Sequence, residues 1–144
     1  MSKSVLCEEK DNICLITLNE EDTRNAISPD IINELVNILE EIDNNKNISC
    51  AILTGAGKSF SSGGNLHEIN EMTENNNMSL RDIENWYRNG IQRIPMTFNK
   101  IDVPVIAAVN GHAIGAGNDL CTMCDIRIAS VSYTHLTLPT KRIV

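Results

Sequence analysis

Aromatic rings are scarce in this chain. One Trp, two Tyr and two Phe among 144 residues hold aromatic content at 3%, which excludes a core organised around stacked rings. With 42% of residues hydrophobic and 22% charged, a folded globular chain is expected, its core made of Ile, Leu, Val and Ala. Excess basic charge is also missing. A formal net charge of −7 argues against broad contact with nucleic acid or an anionic membrane, because phosphate-binding surfaces are basic. No apolar run approaches the ~20 residues of a membrane span. The opening MSKSVLCEEK lacks the apolar region of a signal peptide, so a cytoplasmic location is expected.

Cysteine is present but ill suited to staples or metal. Cys7, Cys14, Cys50, Cys121 and Cys124 make an odd count, and reduced thiols are expected. Cys121-x-x-Cys124 has no second pair to complete a four-ligand zinc set, even with His112 close in sequence. No metal is expected, and small apolar packing is the reading for these two thiols.

What is there alternates between strand and helix. ICLITLN alternates apolar and polar residues as a strand does, and SVLCEEK can pair with it through a turn at Asp11-Asn12. Ser28-Pro29 starts a helix whose apolar positions are Ile31, Ile32, Leu35, Ile38, Leu39 and Ile42. CAILTG and PVIAAVN read as buried strands, and DIRIAS as a third. LHEINEM reads as one or two helical turns, and TENNNM as a mobile surface loop. Ser79 and Asp82 form a capping-box start. An apolar series from Leu80 to Ile101 follows, which Pro95 should kink or divide. The alternation predicts an α/β architecture.

Both CAILTG and PVIAAVN run into glycine-rich loops, where α/β proteins build sites. GAGKS resembles the end of a nucleotide-phosphate loop. That motif needs glycine at position 52, which is Ile52 within the strand, and the loop continues into FSSGG rather than a helix. The other reading joins the two loops. GAGNDL is expected to open a helix, with free N–H groups at the positive end of the dipole. An amide near Ala116 could then hold an oxyanion. Asp119 would share its helix face, and a second amide near Gly64 would come from SSGGN. Two amides on one oxygen beside a carboxylate suit a thioester enolate. A plain helix-start carboxylate is the alternative for Asp119.

LTGAGKSFSSGGNLHEI and PVIAAVNGHAIGAGNDLCTMCDIRIAS resemble the paired signature segments of the crotonase superfamily, the enoyl-CoA hydratase/isomerase family, and TRNAIS resembles its acyl-CoA-contacting segment. The resemblance runs from Val5 to Ser130. It implies a crotonase-like spiral of ββα units, truncated before the C-terminal helical part, with a CoA thioester as substrate rather than a separate cofactor. A homotrimer or hexamer is implied for the full-length parent. It places the oxyanion-hole amides at Gly64 and Ala116, and acyl-CoA contacts at Ala26, Ser62 and Leu66, with Arg24 and Gly115 nearby. His67 falls where many members carry a base. Asn65 stands where Asp is common. Asp119 stands where hydratases carry Glu, and its carboxylate is one methylene shorter. Some isomerases, dienoyl-CoA isomerases among them, look similar there, which favours double-bond migration over water addition.

The resemblance stops at Ser130. VSYTHLTLPTKRIV has no Asp or Glu to serve as the family's second acid, and His135 is its only titratable base of suitable pKa. This stretch is similar to translated sequencing-adapter read-through. The expectation is therefore an N-terminal part of the domain over residues 1–130, a non-native tail over 131–144, and a parent gene that continues with a Glu or Asp soon after Ser130. A chain complete as it stands, binding acyl-CoA without catalysis, is the alternative.

Overall fold

The computed structural model describes residues 3–65, 69–71 and 78–130. Leu66, His67, the TENNNM segment up to residue 77 and residues 131–144 lie outside them. Strands β1 (Val5–Lys10) and β2 (Ile13–Leu18) form an antiparallel hairpin. Its two-residue turn holds Asp11 at φ 49° and Asn12 at φ 66°, the left-handed pair that matches strand twist and that Asp and Asn tolerate. Helix α1 (Pro29–Asn44) then crosses over to β3 (Cys50–Gly55). Ser28 caps it, its Oγ accepting from Ile31 N, with Pro29 at the first helical position. Ile31, Ile32, Leu35, Val36, Leu39 and Ile42 are buried. Ile38 is only partly covered and packs at the margin of the core.

β3 pairs in parallel with β2 and with β5 (Val105–Val109), and β5 pairs in parallel with β7 (Ile126–Ala129). The sheet order is therefore β1-β2-β3-β5-β7. One face, carrying Cys14, Ile16, Leu18, Ala51, Leu53, Val105 and Ala107, is almost wholly buried. The opposite face carries a registered row, Leu15, Ile52, Ile106 and Ile126, that stays partly open. CAILTG and PVIAAVN are thus buried on one face only. DIRIAS departs furthest from the buried strand expected: Ile126 and Ile128 are 55% and 62% exposed. β7 ends the sheet among the described residues, so it has a neighbour on one side only.

Helix α2 (Leu80–Asn89) begins with the expected capping box between Ser79 and Asp82. The break after it falls at Gly90, not at Pro95. Pro95 sits in the first turn of α3 (Arg93–Phe98), where a missing N–H leaves no helical bond unmade. No residue of α2 is buried, and Leu80 is 86% exposed. Its Trp86 and Tyr87 line a cavity rather than entering the core. α3 packs on α1 and on α4 (Ala116–Met123).

A second, small parallel sheet joins β4 (Ser59–Ser61) to β6 (His112–Ala113). It brings the two glycine-rich loops together. Among the described residues no helix is long and apolar enough to cross a membrane.

The expectation of reduced thiols is corrected at one pair. Cys7 and Cys14 are joined as a disulfide. The hairpin register pairs Cys7 with Ile16 and Glu9 with Cys14, so the two cysteines are diagonal neighbours on one face. Their Cα atoms are 6.4 Å apart, within bonding range.

Candidate active site

The loops after β3 and β5 converge through backbone hydrogen bonds. Ile114 N donates to Ser61 O at 3.0 Å, at the continuation of the β4–β6 pairing. Gly63 lies so close that a Cβ on it would stand 2.5 Å from Ile114 O and 3.5 Å from Ala116 N. With φ at 95°, this position suits glycine alone on both counts.

The peptide between Gly63 and Gly64 is held from one side. Ile27 N donates to Gly63 O at 2.7 Å. In a planar trans peptide the N–H points opposite its carbonyl, so the Gly64 N–H is turned away from Ile27. No acceptor meets it among the described residues. The Ala116 N–H is also without an acceptor there, because it is the first residue of α4 and such groups have no intrahelical partner. The next three amides are satisfied: Gly117 N by Ile114 O, and Asn118 N and Asp119 N by Gly115 O.

Gly64 and Ala116 line one cavity of about 720 Å³. α1 contributes Ile32 and Asn33 to it, and α2 contributes Asp82, Trp86 and Tyr87. The Asp82 carboxyl is held below its usual pKa by hydrogen bonds from the Ser79 hydroxyl and N–H. Asp119 lines a smaller adjoining cavity of about 180 Å³, and Ala116 belongs to the walls of both. The Asp119 carboxylate accepts no hydrogen bond among the described residues; only its backbone is engaged, with Thr122 Oγ1 donating to its carbonyl.

TRNAIS is tied to this centre. Ser62 N donates to Arg24 O at 2.9 Å, and Ser62 Oγ donates to Thr23 O at 3.0 Å. Ala26 is buried beside them, whereas the Arg24 side chain is exposed. Gly115 precedes α4 at φ 51°. Leu66 and His67 fall outside the described residues.

The enoyl-CoA hydratase/isomerase profile matches residues 8–142. The chain belongs to the enoyl-CoA hydratase/isomerase family. A short-chain-enoyl-CoA hydratase of Clostridium acetobutylicum is 36% identical over 128 residues, covering 88% of this chain and 46% of that protein. A mitochondrial Delta(3,5)-Delta(2,4)-dienoyl-CoA isomerase of Dictyostelium discoideum is 35% identical over 114 residues, covering 74% of this chain and 38% of that protein. The crystal structure of an enoyl-CoA hydratase from Bacillus anthracis superposes with a TM-score of 0.73 at 34% identity, over 88% of this chain and 47% of that one. The chain thus spans about half the length of these family members. The fold they share is the α/β arrangement described above.

Two residues of this family member escaped the sequence reading. Asn25, at 0% exposure, donates from Nδ2 to Ala56 O and Ser59 O and accepts Glu20 N at Oδ1. Asn110 accepts Gly55 N and donates to Gly55 O and Gly57 O. Together they fix the loop between β3 and β4. The positive φ of Asn25, 56°, follows from the Asn preference for that region, but its three partners are set by tertiary contact. Replacing Asn25 with Ala leaves buried backbone groups unpaired. Asn25→Ala is expected to lower folding stability by about 2–3 kcal/mol, read as an earlier midpoint in urea unfolding.

The Cys121-x-x-Cys124 pair is held by burial. Loss of solvation pushes the Cys121 thiol to about 11 and the Cys124 thiol to about 12. Both stay protonated at neutral pH, the state of inert packing thiols.

Proposed function

We propose that this chain carries the thioester-binding centre of an enoyl-CoA hydratase or isomerase. The observation that supports this reading is the pair of amides, Gly64 N–H and Ala116 N–H, that have no acceptor among the described residues and lie on the wall of one cavity. A thioester oxygen between them accepts from both. When a proton leaves the adjacent carbon, its electron pair moves onto that oxygen as an enolate, and both hydrogen bonds strengthen. Asp119 takes or returns the proton. Return to a different carbon shifts the double bond; in hydration the enolate forms instead when water, giving up a proton, adds its oxygen to the far carbon of the enoyl double bond, and the carbon beside the thioester carbonyl is then protonated. The short Asp119 side chain favours the first. No cofactor enters this chemistry, since coenzyme A is part of the substrate.

Arg24, Ala26, Ser62, Leu66 and Gly115 contact the acyl-CoA in this proposal. The acyl tail faces a cavity whose described lining includes the Asp82 carboxylate and no Lys, Arg or His, so a neutral tail suits it better than a carboxylated one. A parent enzyme assembled as a trimer or hexamer in the cytoplasm, with its second acid beyond Ser130, completes the proposal.

The test uses acetoacetyl-CoA, whose enolate absorbs in the near ultraviolet. The purified chain is expected to bind it and raise the enolate band above that of free ligand at the same pH. Binding without any such rise would falsify the oxyanion-hole reading and leave acyl-CoA binding without catalysis.

A further inference from the structure

Nothing in the resemblance gives Ser61 a role, yet it occupies the joint between three parts of the site. It is 0% exposed. Its Oγ donates to Asn25 O at 2.7 Å and accepts Gly63 N at 3.2 Å. Its backbone carbonyl accepts Ile114 N at 3.0 Å, from the loop that leads to Ala116. One side chain thus bonds TRNAIS to the glycine loop, and the same residue's backbone bonds both to the start of α4.

The consequence falls on the Gly64 amide. Two bonds set the segment before it: Ile27 N to Gly63 O, and Gly63 N to Ser61 Oγ. The first fixes the plane that contains Gly64 N–H, and the second fixes the plane before it. Without the hydroxyl, the bridge to Ile27 is what holds the Gly63–Gly64 peptide. The peptide before Gly63 is then free to turn, and Gly63, with no side chain, can let the following peptide tilt about its bond to Ile27.

We propose that Ser61 is a positioning residue, whose buried hydroxyl holds the Gly63–Gly64 segment so that the Gly64 N–H faces the substrate oxygen. This rests on the oxyanion-hole reading above. Ser61 touches neither substrate nor reacting atoms. Its effect is confined to interactions that strengthen as the enolate forms, since an N–H aimed slightly wrong still admits the ligand but stabilises less charge.

The experiment compares two probes on the full chain. Butyryl-CoA, which scarcely enolises, reports binding, and the acetoacetyl-CoA band reports enolate stabilisation. Ser61→Ala is expected to reduce the enolate band about tenfold while changing butyryl-CoA affinity by less than about twofold. Ser61→Cys, which keeps a weaker donor and acceptor of similar shape, is expected to fall between the two and decides the matter where Ser61→Ala fails to fold. Equal losses for both probes, or an undiminished band in either variant, would mean that Ser61 only supports the fold, and the assignment would be withdrawn. Absence of the band in the unsubstituted chain removes the functional reading and this assignment with it. A normal band untouched by substitution removes the assignment alone.

Discussion

Ala116→Pro is expected to cut enolate stabilisation about 10²- to 10³-fold, the usual loss for one oxyanion donor, with the fold kept. The substitution deletes the N–H and places a ring carbon where the ligand oxygen would approach. It is tolerated structurally because Ala116 is the first residue of α4, the helix position that proline favours. The residue before a proline must be extended. Gly115, at φ 51° and ψ −122°, holds the mirror image of that conformation, which a residue without Cβ can adopt. The thermal midpoint should therefore stay within a few degrees of the parent while the acetoacetyl-CoA band collapses. Ala116→Gly retains the N–H and is expected to retain the band. A proline variant with a full band would show that the Ala116 amide does not meet the substrate oxygen.

Asp119→Asn is expected to separate proton transfer from charge stabilisation. Exchange of deuterium from solvent into butyryl-CoA, at the carbon beside the thioester carbonyl, needs one base and an oxyanion hole but no second acid. Asparagine matches aspartate in shape and cannot take up the proton. Exchange on the full chain, followed by mass spectrometry, should slow by about 10²- to 10⁴-fold. The acetoacetyl-CoA band should persist in the same variant, because Gly64 and Ala116 remain and a negative charge near the enolate has been removed. Loss of both signals would mark Asp119 as part of the fold around α4. Loss of neither would leave it as a helix-start carboxylate that favours the dipole.

The two variants exploit an arrangement in which the proposed donors and the proposed base line adjoining cavities. Ala116 is common to the two cavities, Gly64 lines the larger and Asp119 the smaller. A thioester that places its oxygen at the shared wall can direct its reacting carbons toward Asp119 and its acyl tail toward α2. The loose contact of α2 with the core suits that division, since no residue of α2 is buried and its Trp86 and Tyr87 face the space the tail would fill.

What could be read directly from the sequence is local in origin. The Ser28-Pro29 helix start, the Asp11-Asn12 turn and the Ser79–Asp82 capping box each depend on residues within a few positions of one another, where backbone geometry and side-chain reach settle the outcome. The paired glycine loops and the family membership were legible for the same reason, since each signature is a contiguous string. Tertiary structure decided the rest. That Gly64 and Ala116 share a wall depends on the β4–β6 pairing between segments about fifty residues apart. The peptide before the Gly64 amide is bonded to Ile27 and the one before that to Ser61, and the hold on its loop depends on Asn25 and Asn110. Pro95 was a breaker by type, but a proline in a helix's first turn loses nothing, so the chain broke at Gly90 instead. The apolar strand DIRIAS took the end-of-sheet position among the described residues, and Cys7 met Cys14 because hairpin register set them diagonally. Spacing along a chain fixes what neighbours can do, whereas burial, convergence and pairing arise only when distant segments meet.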